Sequence, residues 1–261
     1  MRVLAVVISS LLVATVADAR PARRPAPSHR HKQPHKRVAV EKRAPAGEPR
    51  PEDPYAEPAR GLSQSIGSPW SGRLQNATRL RLGDSAYIRR PLRAYGTRTT
   101  VEHIRRAVDA TLATFPKTHV LAIGDISAKD GGWISEHNSH RSGRDVDLGL
   151  FFKRKPAGYP ASFASATADN LDRAATWALL ANLLDTSGDD GGVQMIFLDF
   201  EVQGLLYHWA AANGVAARRL DRIFQYPHGR GSPAGVVRHE PHHDNHLHVR
   251  FRCAKADAGC Y

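Results

Sequence analysis

Two distant stretches constrain this chain more than anything else in it. Asp145 to Phe152 and His246 to Arg252 both alternate apolar and polar side chains with the two-residue period of a β-strand. In the first, Val146, Leu148 and Leu150 point one way and Asp145 and Asp147 the other. In the second, Leu247, Val249 and Phe251 face one side and His246 and His248 the other. With both apolar rows in a core, the two polar rows lie on the same face of the sheet. His140 sits seven residues before Asp147, on the loop that feeds the first strand, and Gly143 permits the tight approach by which it reaches back over the carboxylate.

Such a grouping suits one divalent metal. His140, Asp147 and His248 place two nitrogens and one oxygen on a single ion and leave a position for water, the pattern of a catalytic zinc site. A metal held that way activates water near neutral pH, so the chain reads first as a metallohydrolase. In His246-Leu247-His248 both imidazoles project to one face about 7 Å apart, so one binds the metal while the other stands beside the water. His246 takes that second role, as general base or as a donor to the developing oxyanion. Asp145 either orients a ligand or pairs with Arg141 or Arg144. Of the 14 His, seven crowd into the two windows, and His239 and His242 read as loop surface. Ser139 and Ser142 lie beside His and Asp, but the chain lacks the Gly-x-Ser-x-Gly elbow of a serine hydrolase.

The remaining pattern supplies the scaffold. Thr100 is placed to cap a helix whose Val101, Ile104, Val108, Leu112 and Phe115 recur at three- and four-residue steps until Pro116. His119 to Ile126 and Val193 to Phe200 read as strands, and Asp130-Gly131-Gly132 as a loop. Ala168 to Leu184, Gln203 to Ala212 and Ala216 to Phe224 read as helices. Strands and helices mix without a regular βαβ rhythm. The expectation is an α+β domain over residues 61–261, with a mostly antiparallel central sheet flanked by helices and the zinc site on its polar face.

Met1 to Ala19 has the layout of a secretory signal peptide: an early Arg2, an apolar run from Val3 to Val16, then Ala17-Asp18-Ala19. That run is short for a bilayer, and no other stretch is apolar enough, so the mature chain is expected to have no transmembrane helix. Residues 20–60 are basic and Pro-rich, holding nine of the 17 prolines, and are expected to form a disordered linker. This tract is either a solvated spacer or a segment that favours anionic cell-envelope polymers. Nucleic acid matches export poorly and is not expected as a partner. The only cysteines, Cys253 and Cys260, are expected to pair in an exported protein; free thiols would fit a cytosolic one. Arg141, Arg144 and Arg250 beside the proposed ligands are either contacts for substrate carboxylates or ordinary surface charge. Trp133 either lines a groove or packs inward.

The pattern His137-x2-His140-x6-Asp147 followed by His243-x2-His246-x-His248 resembles the penicillin-insensitive murein endopeptidases, zinc peptidases related to lysostaphin-type and D-Ala-D-Ala-type enzymes. Gly124-Asp125-Ile126-Ser127, Gly131-Gly132, Ser139 to Asp147 and His246-Leu247-His248-Val249-Arg250 agree with that family. The resemblance runs from about Gly83 to Arg252. It implies an exported, periplasmic or secreted enzyme that hydrolyses the D-alanyl to meso-diaminopimelyl cross-link of peptidoglycan. It implies one zinc held by His140, Asp147 and His248, with His246 as active-site partner of the water. It adds His137 as a fourth candidate ligand and His243 as a residue near the site. Residues 151–203 offer no Asp-x2-His pair for a second metal. A D,D-carboxypeptidase or dipeptidase on the same scaffold usually places a Glu before the last His, where this chain has His246. A non-catalytic wall-binding protein with structural zinc is the reading from another class.

Overall fold

The computed structural model describes residues 61–261. The signal-peptide segment and the whole of the basic tract, residues 1–60, fall outside the described residues. In chain order the elements are β1 Gln64–Ser68, β2 Ser71–Gln75, β3 Thr78–Arg79, β4 Ala86–Ile88, β5 Tyr95–Gly96, α1 Arg98–Thr114, β6 Leu121–Ile123, β7 Asp145–Gly149, α2 Arg173–Leu184, β8 Val193–Phe197, α3 Phe200–Ala212, α4 Ala217–Ile223, β9 Val237–Arg238 and β10 His246–Phe251. The fold is α+β. Among the described residues no helix is long and apolar enough to cross a membrane.

Six strands form the main sheet in the order β4-β6-β7-β10-β8-β9. The sheet is mixed. Its inner pairings, β6–β7, β7–β10 and β10–β8, are antiparallel, while β4–β6 and β8–β9 at the two edges are parallel. The expected antiparallel sheet is therefore confined to the middle. The parallel edges arise because the chain returns through α1 before β6, and through α3 and α4 before β9. Val146, Leu148, Leu247, Val249 and Phe251 are fully buried and share one core with Val101, Ile104 and Val108 of α1, Leu179 and Leu183 of α2 and Leu206 of α3.

Several element ends differ from the sequence expectation for local reasons. Thr97, not Thr100, caps α1: it is extended, and its side chain accepts the Thr100 N–H at 3.1 Å. Thr100 itself is buried on the helix. α2 starts five residues late because Thr167 and Asn170 close a side-chain-bonded turn and Asp172 then caps the helix. α3 starts three residues early, capped by Asp199. The strand expected from His119 to Ile126 keeps only Leu121–Ile123; beyond it the Ile126 and Ser127 N–H groups bond Arg93 O, outside the sheet. The β1–β2 hairpin, turned at Pro69-Trp70, and the short strands β3, β4, β5 and β9 carry too few alternating residues to stand out in sequence.

Cys253 and Cys260 form a disulfide, so neither thiol is free. The closed loop lies on β1, where Gly67 N–H donates to Gly259 O and Tyr261 N–H to Gly67 O. Arg144 locks this corner from inside. It is 2% exposed and donates to Ser65 Oγ, Phe251 O and Tyr261 O at 3.0–3.1 Å. That position excludes it as a contact for substrate carboxylates. Arg144→Ala leaves the buried acceptors Ser65 Oγ and Phe251 O without their donor and frees the C-terminal Tyr261 O, so it should cost about 2–4 kcal/mol of stability. Urea denaturation checks this; a variant within about 0.5 kcal/mol of wild type, the range of an ordinary surface change, would contradict it.

Candidate metal centre and its cleft

Register builds the site. In the β7–β10 pairing His248 lies opposite Asp147, Arg250 opposite Asp145, and Leu247 opposite Leu148. Directly opposed residues have Cβ atoms about 5 Å apart, so Asp147 and His248 meet by necessity. A slip by one residue would send both into the core.

His140 arrives from the loop before β7. Its backbone is left-handed, with φ of 63°, and its N–H donates to Asp145 Oδ2 at 3.1 Å. Nδ1–H donates to Ile126 O at 3.1 Å, which turns Nε2 toward Asp147 Oδ1 at 3.3 Å. Gly143, at φ 71°, closes the return; a Cβ there would stand 2.8 Å from the Leu74 side chain. Gly124 has a similar duty, since a Cβ on it would lie 2.8 Å from both Asp147 Cβ and the Phe163 ring.

Asp147 Oδ1 is the meeting point. It lies 3.3 Å from His140 Nε2, 3.5 Å from His248 Nδ1 and 3.6 Å from His246 Nε2. Ligand atoms on a tetrahedral zinc with bonds of 2.0–2.1 Å stand about 3.3 Å apart. His140 Nε2 and Asp147 Oδ1 are buried and make no hydrogen bond. Buried polar atoms of this kind are rare and require a partner. Among the described residues two triplets have ligand atoms within 4.8 Å of one another, His137/His140/Asp147 and His140/Asp145/His248. Asp145 is the poorer donor of the two carboxylates: it accepts Arg250 Nε at 2.8 Å, Arg250 Nη2 at 3.2 Å and the His140 N–H. It also stands 3.6 Å from His248 Nε2, behind the ring. Pairing with Arg141 or Arg144 is thus replaced by pairing with Arg250.

His137 is held differently. Its Nε2–H donates to Asp125 Oδ2 at 2.9 Å, and its ring centroid lies 4.2 Å from that of His140. Asp125, 3% exposed, also accepts Arg90 and Arg93 at 2.9 and 3.0 Å. Sequence reasoning gave Asp125 no role, although its motif was visible. His246 donates Nδ1–H to Asn245 Oδ1 and stacks flat on Phe163, with centroids 4.9 Å apart, leaving Nε2 as an acceptor. His243 packs 4.7 Å from His246 and donates Nδ1–H to Pro241 O at 2.9 Å. His239 accepts the Phe200 N–H at the start of α3, so it is tied down rather than free on a loop. His242 is exposed on the rim.

The charges sort by neighbour. Burial disfavours charge on His140, but Asp147 first and Asp145 after it overcome this and lift its pKa to about 9. Burial likewise opposes charge on Asp147, and His140, His246 and His248 hold it far below the usual carboxylate range. His246 falls to about 4, mainly through burial, with Asp147 opposing and His243 reinforcing. Above these groups opens a cleft of about 770 Å³, lined among others by Trp70, Arg89, Arg90, Phe163, Phe197 and Arg250. Arg141 and Trp133 do not line it, and Trp133 is 68% exposed.

The result is a sheet-borne cleft floored by buried imidazoles and carboxylates. A family model described as penicillin-insensitive murein endopeptidase matches residues 65–202. That is more than half of the chain, and the chain belongs to this family: it is a peptidase of peptidoglycan. No curated protein matches it. The matched residues contain Asp125, His137, His140, Asp145 and Asp147 but end before β10. His246 and His248 reach the same point through strand register.

The pKa shifts give the metal-free protein a definite pH response. A His raised to about 9 stabilises fully below its ordinary value of ~6.5, and that contribution is lost as pH rises through about 9. His246, kept neutral down to about 4, adds a loss as pH falls below ~6.5. In chelator, the urea midpoint should fall between pH 7 and pH 10, and His140→Asn should remove that alkaline loss. An unchanged alkaline slope in the variant would show that His140 does not carry it.

Proposed function

We propose that the chain is an exported zinc metallo-endopeptidase cutting the D-alanyl to meso-diaminopimelyl cross-link of peptidoglycan, with residues 61–261 as its catalytic domain. The observation that carries the metal is the bare pair His140 Nε2 and Asp147 Oδ1, 3.3 Å apart and without hydrogen bonds in a buried site. The proposed ligands are His140 Nε2, Asp147 Oδ1 and His248 Nδ1. Ile126 O behind His140 Nδ1 orients that imidazole, while Asp145 Oδ1 stands 3.6 Å from His248 Nε2 without a hydrogen bond to it. His137 fits less well as a fourth ligand, because Asp125 claims its Nε2. Three nitrogen and oxygen donors of this type suit zinc.

A cation held by these residues would polarise a peptide carbonyl and lower the pKa of water toward ~7. The chain's own groups do the rest. His246, neutral and stacked on Phe163, presents Nε2 to accept a proton from water and return it to the departing amine. His243 beside it disfavours a second positive charge on that ring. The cleft above it has a volume of about 770 Å³, with Phe163 and Phe197 on its walls. Export is supported by the leader-like residues 1–19 and by the disulfide, which suits an oxidising compartment. Periplasm is the preferred destination. The basic tract at 20–60 is available to anionic envelope polymers.

Incubation with cross-linked muropeptide dimers should release monomers. Chelator should abolish this and zinc restore it. His140→Ala should lose both activity and bound zinc. His246→Ala should keep zinc yet lower kcat by roughly 10²–10⁴. Release of single D-alanine instead would mark a carboxypeptidase, and wall co-sedimentation without any cleavage a binding protein; either result overturns the proposal.

A further inference from the structure

Three arginines line the cleft, and two are already neutralised. Arg90 bonds Asp125 at 2.9 Å and Glu136 at 2.5 Å; Arg250 grips Asp145 through Nε and Nη2. Arg89 differs. Among the described residues no carboxylate pairs with it, and its side chain makes one hydrogen bond, from Nε to Ala161 O at 3.0 Å. Both Nη groups are left for something else. The residue is also fixed. Its backbone N–H bonds Ile123 O at 2.9 Å, directly after β4, and its guanidinium lies 4.2 Å over the Phe163 ring. Stacking on an aromatic face orders a guanidinium while its hydrogen-bonding edge stays free.

Phe163 is the same ring that stacks on His246. The two contacts, 4.2 and 4.9 Å, limit the separation between the Arg89 guanidinium carbon and the His246 ring centroid to about 9 Å. One peptide step covers ~3.5 Å. A bidentate guanidinium–carboxylate pair adds roughly 4 Å between the two central carbons. A carboxylate within a residue of the cleaved bond therefore falls within reach. In a diaminopimelyl cross-link the acylated amine sits on a carbon that itself bears a carboxylate.

We propose that Arg89, packed on Phe163, binds this free carboxylate on the amine side of the scissile bond and makes the enzyme selective for carboxylated over amidated cross-links. The proposal rests on the endopeptidase reading and names the part of the substrate that its cleft reads. It also relocates the carboxylate contact: of the three arginines beside the ligands in sequence, Arg144 and Arg250 are bound internally and Arg141 does not line the cleft.

The test compares two muropeptide dimers, one with the free carboxylate and one with a carboxamide there, on the zinc-loaded full chain. Wild type should favour the carboxylate by roughly tenfold in kcat/KM, mainly through KM. Arg89→Gln should bring the ratio near one, and Arg89→Lys should keep part of it, since a point charge replaces a fork. Calorimetric binding of the uncut dimers in chelator should show the same ratios without turnover. Cleavage of both dimers at equal rates by wild type, or an undiminished preference in Arg89→Gln, overturns the assignment of Arg89 and leaves the endopeptidase reading standing. If neither dimer is cut, both readings fall.

Discussion

The pairing of β7 with β10 is the constraint on which the rest depends. It sets Asp147 against His248 and Asp145 against Arg250, and by the same alternation it sets Leu148 against Leu247 and Val146 against Val249. Function and core are thus written on opposite faces of one strand pair. The hydrophobic side fixes the register, because any slip by one residue would bury charge and expose leucine. The polar side inherits its geometry from that choice.

Concentrating imidazoles and carboxylates in a buried floor is costly unless each has a partner. The fold supplies most of them from outside the strand pair. Ile126 O takes one nitrogen of His140, Arg250 takes Asp145, and Arg90 with Arg93 takes Asp125. What these supports leave bare is the heart of the cluster: His140 Nε2, Asp147 Oδ1 and His248 Nε2 are buried without a hydrogen bond. A ring of satisfied polar groups around a few unsatisfied ones is the arrangement expected where the missing partner is a ligand.

Much of this was legible in sequence. The alternation of Asp145 to Leu150 and of Leu247 to Phe251 located both site strands and the face of each residue, and the apolar steps of α1 located its buried side. Ends were less legible. Thr97 rather than Thr100 starts α1, and Asp172 rather than a residue near Ala168 starts α2, because capping depends on which hydroxyl or carboxylate meets an N–H in space. The roles of the arginines were not legible at all. Arg144 sits in the middle of the site motif yet fastens the C-terminal corner, while Arg89, far from both motifs in sequence, reaches the cleft.

Sequence by itself determined the chemistry on offer: the imidazoles and carboxylates, their spacing, and the faces they take on strands, since side-chain period is a property of local backbone. Tertiary structure decided which of them meet and which charges are left over. Asp125 reaches His137 across twelve residues, and Phe163 against His246 and the internal engagement of Arg144 and Arg250 join segments separated by many tens. No local pattern encodes such contacts, because they follow from how helices and loops close over the sheet rather than from the residues next to them in the chain.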